Sequence, residues 1–472
     1  MTASTITLKE KISYGFGDMA SSMFWKLFGM YLLFFYTDVF GITAAAAGTM
    51  FLITRIWDTV FDPVVGGFAD RTVSRWGKFR PYLLFVAAPF GIIGVLTFTT
   101  PSLSYSGKLL YAYLTYSAMM MIYSLINVPY ASLLGVISAN PKDRNTLASF
   151  RMAFAFAGSL IALALIEPLV HVFSRLGSGA PDLARGWQLG VLVIAVLCIL
   201  LFLACFAGVR ERVVPIKQQA TRLKDDIRDL WTNRPWWILL GSGIAALIFN
   251  SIRDGATLYY FKYYIGDEES FRILTATVTY STLYLVLGQA ANIAGVILAS
   301  PVANRIGKKA TYLYAMSIAT GLSVIFYWFG KEQLVLIFAF QFLISLCAGA
   351  IFPLLWSMYA DIADYSEWKT GRRATGLVFS SSSMSQKLGW TIGGALTGWL
   401  LAYFGFKANV VQSTEAQNGI RTMLSFLPAL GALLSVILIA IYPLSETRVQ
   451  EMTSALAKRR KQTAEAVQIP ES

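Results

Sequence analysis

A chain of 472 residues that is 56% hydrophobic and 14% charged, with a mean hydropathy of +0.58, departs from soluble globular proteins, in which about a quarter of residues are charged. Its apolar residues form long runs, so it reads as a multi-span membrane protein, and domain counting from length does not apply. The formal net charge of +13 does not point to nucleic acid, because Lys and Arg gather in short connections between apolar runs, as the positive-inside rule requires.

A membrane-spanning helix needs about 20 apolar residues. Such runs fall at roughly 13–37, 46–69, 81–100, 109–137, 147–172, 187–209, 236–264, 273–299, 310–329, 333–360, 375–405 and 419–443, twelve in all. About a dozen polar residues precede the first run, with no small-residue cleavage site, so no removable signal peptide is expected. With both termini placed in the cytoplasm, the inside connections hold 26 Lys and Arg and the outside connections 6. That asymmetry sets the expected orientation.

The second run, MFLITRIWDTVFDPVVGGFAD, carries three charges where lipid-compatible residues are the rule. Arg55, Asp58 and Asp62 are spaced by three and four, which places them on one helix face. Charge at this depth costs several kcal/mol on most scales, so it is retained for pairing or function. Two adjacent carboxylates do not both ionise cheaply in a low dielectric. The pair therefore holds a proton or recruits a hard cation such as Na⁺, for which oxygen ligands are suited. A purely structural ion pair between Arg55 and Asp58 accounts for one carboxylate and leaves the second unexplained.

In the fourth run, YSLINVPYASL places Ser124 and Asn127 one turn apart, and Pro129 bends the helix. Arg151 opens the small-residue helix RMAFAFAGSLIALA, and Lys387 lies deep in the eleventh run after a serine stretch. Both are candidates for hydrogen bonds to a polar substrate or pairing with Asp58 and Asp62, against snorkelling to the interface. Asp18 and Asp254 are further acids at membrane depth, the second beside Arg253. Asp70, Asp361 and Asp364, at expected cytoplasmic helix ends, read as a latch with basic loop residues such as Arg372.

The longest internal connection, about 210–235, divides the runs six and six. The expected organisation is an N-terminal bundle 1–209, a cytoplasmic loop 210–235, a second bundle 236–443 and a cytoplasmic tail 444–472. GGFADRTVSRWGKFRP after run two and ASPVANRIGKKATYL after run eight echo each other, as in secondary transporters built from repeats. Any short basic cytoplasmic loop gives a similar match. No phosphate-binding GxxxxGK[ST] loop occurs, so energy for transport is expected from an ion gradient. Cys198, Cys205 and Cys347 lie in apolar stretches and read as small core residues, and His171 as a rim residue. Neither a nucleophile–base pair nor a metal-ligand spacing is present, so an enzyme is not expected.

TRIWDTVFDPVVGGFADRTVSRWGKFRPYLL closely resembles the glycoside–pentoside–hexuronide:cation symporters, a branch of the major facilitator superfamily. KISYGFGDMAS, YSLINVPYASLL, YYFKYYIGD and YADIADYSEWKTGRRATGL extend the resemblance over nearly the whole chain. It implies an all-α membrane protein of twelve transmembrane helices in two six-helix bundles. It also implies a bacterial-type inner-membrane location and cation-coupled uptake of a sugar or glycoside, with no cofactor beyond Na⁺ or H⁺. Its expected partners are the sugar, the cation and membrane lipid, and it is expected to act as a monomer.

By the same resemblance, Asp58, Asp62 and Ser124 are the cation-site positions, and Arg151 and Lys387 match an arginine and a lysine of the family; with Asp18, Ser22 and Asn127 these two are the candidate substrate-binding residues. Two sugar-gripping aspartates of the family fall here on Ser22 and Asn127, and a tryptophan on Ala131. With those negative charges lost and Arg151 and Lys387 kept, an anionic hexuronide becomes a candidate substrate, with a neutral glycoside or pentoside beside it. A lipid or drug transporter of the same superfamily, or a sugar sensor without flux, are the competing readings. The tail of about 28 residues offers little room for a sensor's output domain.

Overall fold

A computed structural model describes residues 6–138, 141–176, 180–212, 231–266, 271–273, 276–370 and 375–467. Nearly all of it is helix. The first passage is α1 (Leu8–Lys26), extended to Phe40 by two π-type stretches around a short α turn. Then come α2 (Ala44–Arg71), α3 (Arg80–Phe85), α4 (Ala87–Thr97), α5 (Tyr105–Ile137), α6 (Pro141–Ser174) and α7 (Leu183–Gly208). The second half holds α8 (Arg234–Tyr259), α9 (Tyr280–Ile306), α10 (Lys308–Phe326), α11 (Leu334–Thr370) and α12 (Thr375–Tyr403). It ends with α13 (Thr414–Leu424), α14 (Phe426–Ala440) and α15 (Glu446–Val467).

The apolar runs read from the sequence fall on helix, except at the start of the eighth. Among the described residues, seven helices are long and apolar enough to cross a membrane on length and composition. The chain is a multi-pass membrane protein. The third run is divided at Val86 and the twelfth at Ser425, so each comes as two helices. The eighth run begins later than read. Residues before Tyr280 instead form a hairpin of β1 (Phe271–Ile273) and β2 (Ala276–Val278), antiparallel with Arg272 opposite Thr277. Thr, Ile and Val in this stretch favour strand.

Helix starts follow local chemistry. Thr7, Thr43, Ser104 and Asp182 each accept a backbone N–H of the first turn through the side chain. One ending recurs in both halves of the chain. The first passage closes in π-type turns at Phe35–Phe40, and α8 continues into Tyr260–Ile265 in the same form. Each is capped by a left-handed glycine, Gly41 at φ 89° and Gly266 at φ 82°, a conformation that lacks a Cβ penalty only in glycine.

Contacts divide the chain into two compact units. One comprises Met1–Lys217, Arg253–Ala290 and Gly394–Met423, and the other Gln218–Ile252, Ala291–Gly393 and Leu424–Ser472. This partition differs from the sequence boundaries at 209 and 236, because the end of α8, the start of α9, the end of α12 and α13 pack with the first unit. In that unit α1 packs on α6 and α7, and α2 on α5. Gly158 permits the α1–α6 approach, since a Cβ there would lie 2.4 Å from the Met19 carbonyl oxygen. Fully buried rings of Phe24, Phe35 and Phe90 fill the core, the first two in contact with Phe28 and Phe98. In the other unit α10 packs on α11 and α14, and the tail helix α15 lies on α11. Met452 and Leu456 are its buried face.

Candidate functional site

The charged face of α2 points into the first unit. Asp58 is buried and Asp62, one turn on, is half-buried. Ser124 of α5 lies across from both, its hydroxyl oxygen 2.8 Å from Asp58 Oδ1 and 2.6 Å from Asp62 Oδ1. A serine hydroxyl has one proton to donate. It can donate to one carboxylate at a time, so the second close oxygen pair is compatible with a proton on the acid or a cation beside it. An all-oxygen set of two carboxylates and a hydroxyl suits a hard cation or a proton. Among the described residues no group of three or more His, Cys, Asp or Glu forms a multi-ligand metal cluster.

Arg55 is buried one turn before Asp58, within reach of its charge. Its Nε donates to Tyr116 Oη at 3.0 Å, and its guanidinium lies 4.5 Å from the Trp25 ring centroid. Trp25 in turn meets Tyr123 at 5.7 Å. Tyr123 of α5 lies within electrostatic reach of Asp18, Arg55, Asp58 and Arg151 together. Trp25 of α1 thus joins Arg55 of α2 to Tyr123 of α5.

Arg151 of α6 makes an ion pair with Asp18 of α1, Nε to Oδ2 at 2.7 Å. Tyr130 lies under the guanidinium at 5.2 Å, stacks on Tyr14 at 5.0 Å and donates to the Tyr14 carbonyl at 2.7 Å. Asn127 accepts from Ser21 at 2.7 Å and donates to the Tyr123 carbonyl at 3.1 Å. The serine that meets Asn127 is thus Ser21; Ser22 is half-buried on the adjoining α1 face. In the same unit, Lys26 reaches Asp254 at 3.8 Å and Arg253 donates to Tyr284 at 3.1 Å.

Lys387 is half-buried on α12, in the other unit. There Asp361 receives Lys308 through both oxygens at 2.8 and 2.7 Å, with Asp364 one turn on in α11. The Asp70 side chain and Arg372 lie outside the described residues.

Two networks were not legible beforehand. Asp38, its side chain 1% exposed, receives Lys262 at 2.6 Å and the Tyr263 hydroxyl. Asn409 joins through Lys262 at 2.7 Å and the Asp38 carbonyl at 2.7 Å. Asp38 fell just past the first apolar run, and the π-type turns that place it leave no periodicity signal. Secondly, Glu211 accepts the backbone N–H of Lys78, Phe79 and Arg80 at 2.9, 2.7 and 2.9 Å. The basic RWGKFRP motif thus wraps its backbone around a carboxylate. Next to it Arg212 clasps Glu10 at 2.6 and 3.0 Å, and this hydrogen bond raises the Arg212 pKa.

Ionisable side chains held in the interior of a multi-pass helical protein, facing one another and polar groups, are the kind of site that ion and solute pathways carry. The chain belongs to the MFS/sugar transport protein family, whose model matches residues 13–446. It is 36% identical to the inner membrane symporter YicJ of Escherichia coli over 94% of this chain and 93% of that one. It is also 36% identical to the isoprimeverose transporter of Lactiplantibacillus pentosus, over 92% and 88% of the two chains. Among solved structures, a bacterial homologue of the human lysosomal transporter Spinster shares the fold. That match has a TM-score of 0.65 and 13% identity, covering 92% of this chain and 95% of that one. The protein is accordingly an integral, multi-pass inner-membrane sugar transporter and not an enzyme.

Proposed function

We propose that the protein couples uptake of a small glycoside to entry of Na⁺ or H⁺ by alternating access, with twelve spans, both termini cytoplasmic and no further cofactor. The observation that carries this reading is the single Ser124 hydroxyl set against Asp58 and Asp62. Cation or proton binding neutralises the pair, and linkage requires that sugar and cation raise each other's affinity by the same factor. Arg55, Tyr123 and the Asp18–Arg151 pair form the link to the sugar side. The repeated π-type endings at Gly41 and Gly266 support two related halves. The Asp361–Lys308 pair supports a latch at the cytoplasmic side.

A neutral glycoside is favoured over a hexuronide. The uronide reading depends on the positive charge of Arg151 and Lys387, and of these the Arg151 charge is matched by Asp18 at 2.7 Å. The name of the isoprimeverose relative fits a pentose-containing glycoside. Proteoliposomes offered isoprimeverose, a methyl xyloside and a glucuronide, with and without inward Na⁺ or H⁺ gradients, test the proposal. Gradient-driven accumulation of a neutral glycoside is expected. Uptake indifferent to both gradients overturns the coupling, and uptake of the glucuronide alone restores the anionic substrate.

A further inference from the structure

On α1 the residues Asp18, Ser22, Trp25 and Gly29 follow one another at spacings of four, three and four, which puts them on one face. None of the four is buried, whereas Ala20, Met23, Phe24 and Leu27 on the other side are completely so. A Cβ built on Gly29 would meet nothing within 4 Å, so open space lies one turn beyond Trp25. Trp25 sits midway along the helical passage from Leu8 to Phe40, away from the ends where interfacial aromatic belts lie. Its neighbours are the Arg55 guanidinium and the Tyr123 ring, a charged and a polar side chain rather than the aliphatic ones that line a lipid face.

An incompletely buried indole beside a guanidinium is a poor use of apolar surface unless something flat and apolar covers it. A pyranose ring offers such a surface in its axial C–H groups, while its hydroxyls radiate from the edge toward hydrogen-bonding partners. Asp18 and Ser22 of α1, Asn127 of α5 and Arg151 of α6 supply polar groups, Asn127 meeting α1 at Ser21 and Arg151 at Asp18. Apolar walls with a few placed polar groups are the usual make-up of small-molecule sites. The indole is also held in place: Arg55 stacks at 4.5 Å and is itself fixed by Tyr116 at 3.0 Å, with Tyr123 at 5.7 Å on a 39° tilt.

Resting on the glycoside reading above, we propose that Trp25 is the stacking platform for the sugar ring and thereby sets specificity for it. Arg55, one turn from Asp58 and against the indole, makes Trp25 also the element through which the cation site bears on the sugar.

Wild type, Trp25→Phe, Trp25→Leu and Trp25→Ala are compared in proteoliposomes with whichever of isoprimeverose, the methyl xyloside and the glucuronide wild type accumulates. Trp25→Phe is expected to keep the sugar KM within about threefold, and Trp25→Leu and Trp25→Ala to raise it about tenfold or more. Fluorescence of wild type and Trp25→Phe on addition of that sugar gives a second measurement. The wild-type signal change is expected to be largely lost in Trp25→Phe, whose folding is least at risk. Equal KM values in wild type and Trp25→Ala, equal losses in Trp25→Phe and Trp25→Ala, or an unchanged fluorescence response overturn the platform while leaving the transport reading intact. A wild type that takes up none of the three sugars overturns the transport reading, and the platform with it.

Discussion

The Ser124 hydroxyl of α5 stands 2.6 Å from Asp62 Oδ1 of α2 while also lying 2.8 Å from Asp58 Oδ1. A hydroxyl carries a single proton, so the contact joins the two acids of α2 through one side chain of α5.

Removal of that hydroxyl is therefore expected to weaken the cation more than the sugar. Ser124→Ala should raise the half-saturating cation concentration by about 2- to 10-fold, the range of one hydrogen bond. Asp58→Asn and Asp62→Asn should each abolish cation-stimulated uptake. Uptake measured against Na⁺ and H⁺ concentration checks this, and concentrative transport surviving in both Asn variants would place the cation elsewhere.

The Asp18–Arg151 pair predicts a distinct pattern of stability. Arg151→Ala leaves the half-buried Asp18 carboxylate without its partner, a loss of about 3–5 kcal/mol for buried pairs and less here because both side chains are partly exposed. The double variant Asp18→Asn/Arg151→Gln should recover thermal stability without recovering transport. Melting curves in detergent together with uptake assays separate the two effects.

Asp38 is more deeply enclosed, with its side chain 1% exposed against 36% for Lys262. Lys262→Met is expected to destabilise the protein by about 3 kcal/mol or more, because a buried carboxylate loses its counter-charge. Asp38→Asn, which discards the charge that needed compensation, should cost less than Lys262→Met in the same thermal unfolding measurement. The reverse order would show that Lys262 is not the compensating charge.

At the other end of this unit, Glu211 caps three consecutive backbone N–H groups of the Lys78–Arg80 turn. Gly77 there has φ 109°, and a Cβ on it would fall 2.6 Å from the Glu211 carboxyl carbon. Gly77→Ala is thus strained in backbone and in contact, and should be less stable than Glu211→Gln by about 1 kcal/mol or more. Both variants should be cut faster by trypsin after Arg75 and Lys78 than wild type, with Gly77→Ala cut fastest.

The sequence by itself determined the properties that depend on residues near one another along the chain. Hydropathy runs mark helices because each helix satisfies its own backbone in lipid. The four-residue spacing of Asp58 and Asp62 fixes their shared face whatever surrounds them. The motifs of the second run and of the fourth also sufficed to reach the family, and with it Ser124. Tertiary structure decided which partner each charge takes. Arg151 meets Asp18, 133 residues away, and Lys262 meets Asp38, 224 residues away. It also chose Ser21 over Ser22 as the neighbour of Asn127. Adjacent helical residues point about 100° apart, so only the rotation of α1 against α5 separates them. Trp25 shows the limit most plainly. In the sequence it is one of 12 tryptophans, and its place against Arg55 exists only once α1 and α2 are packed.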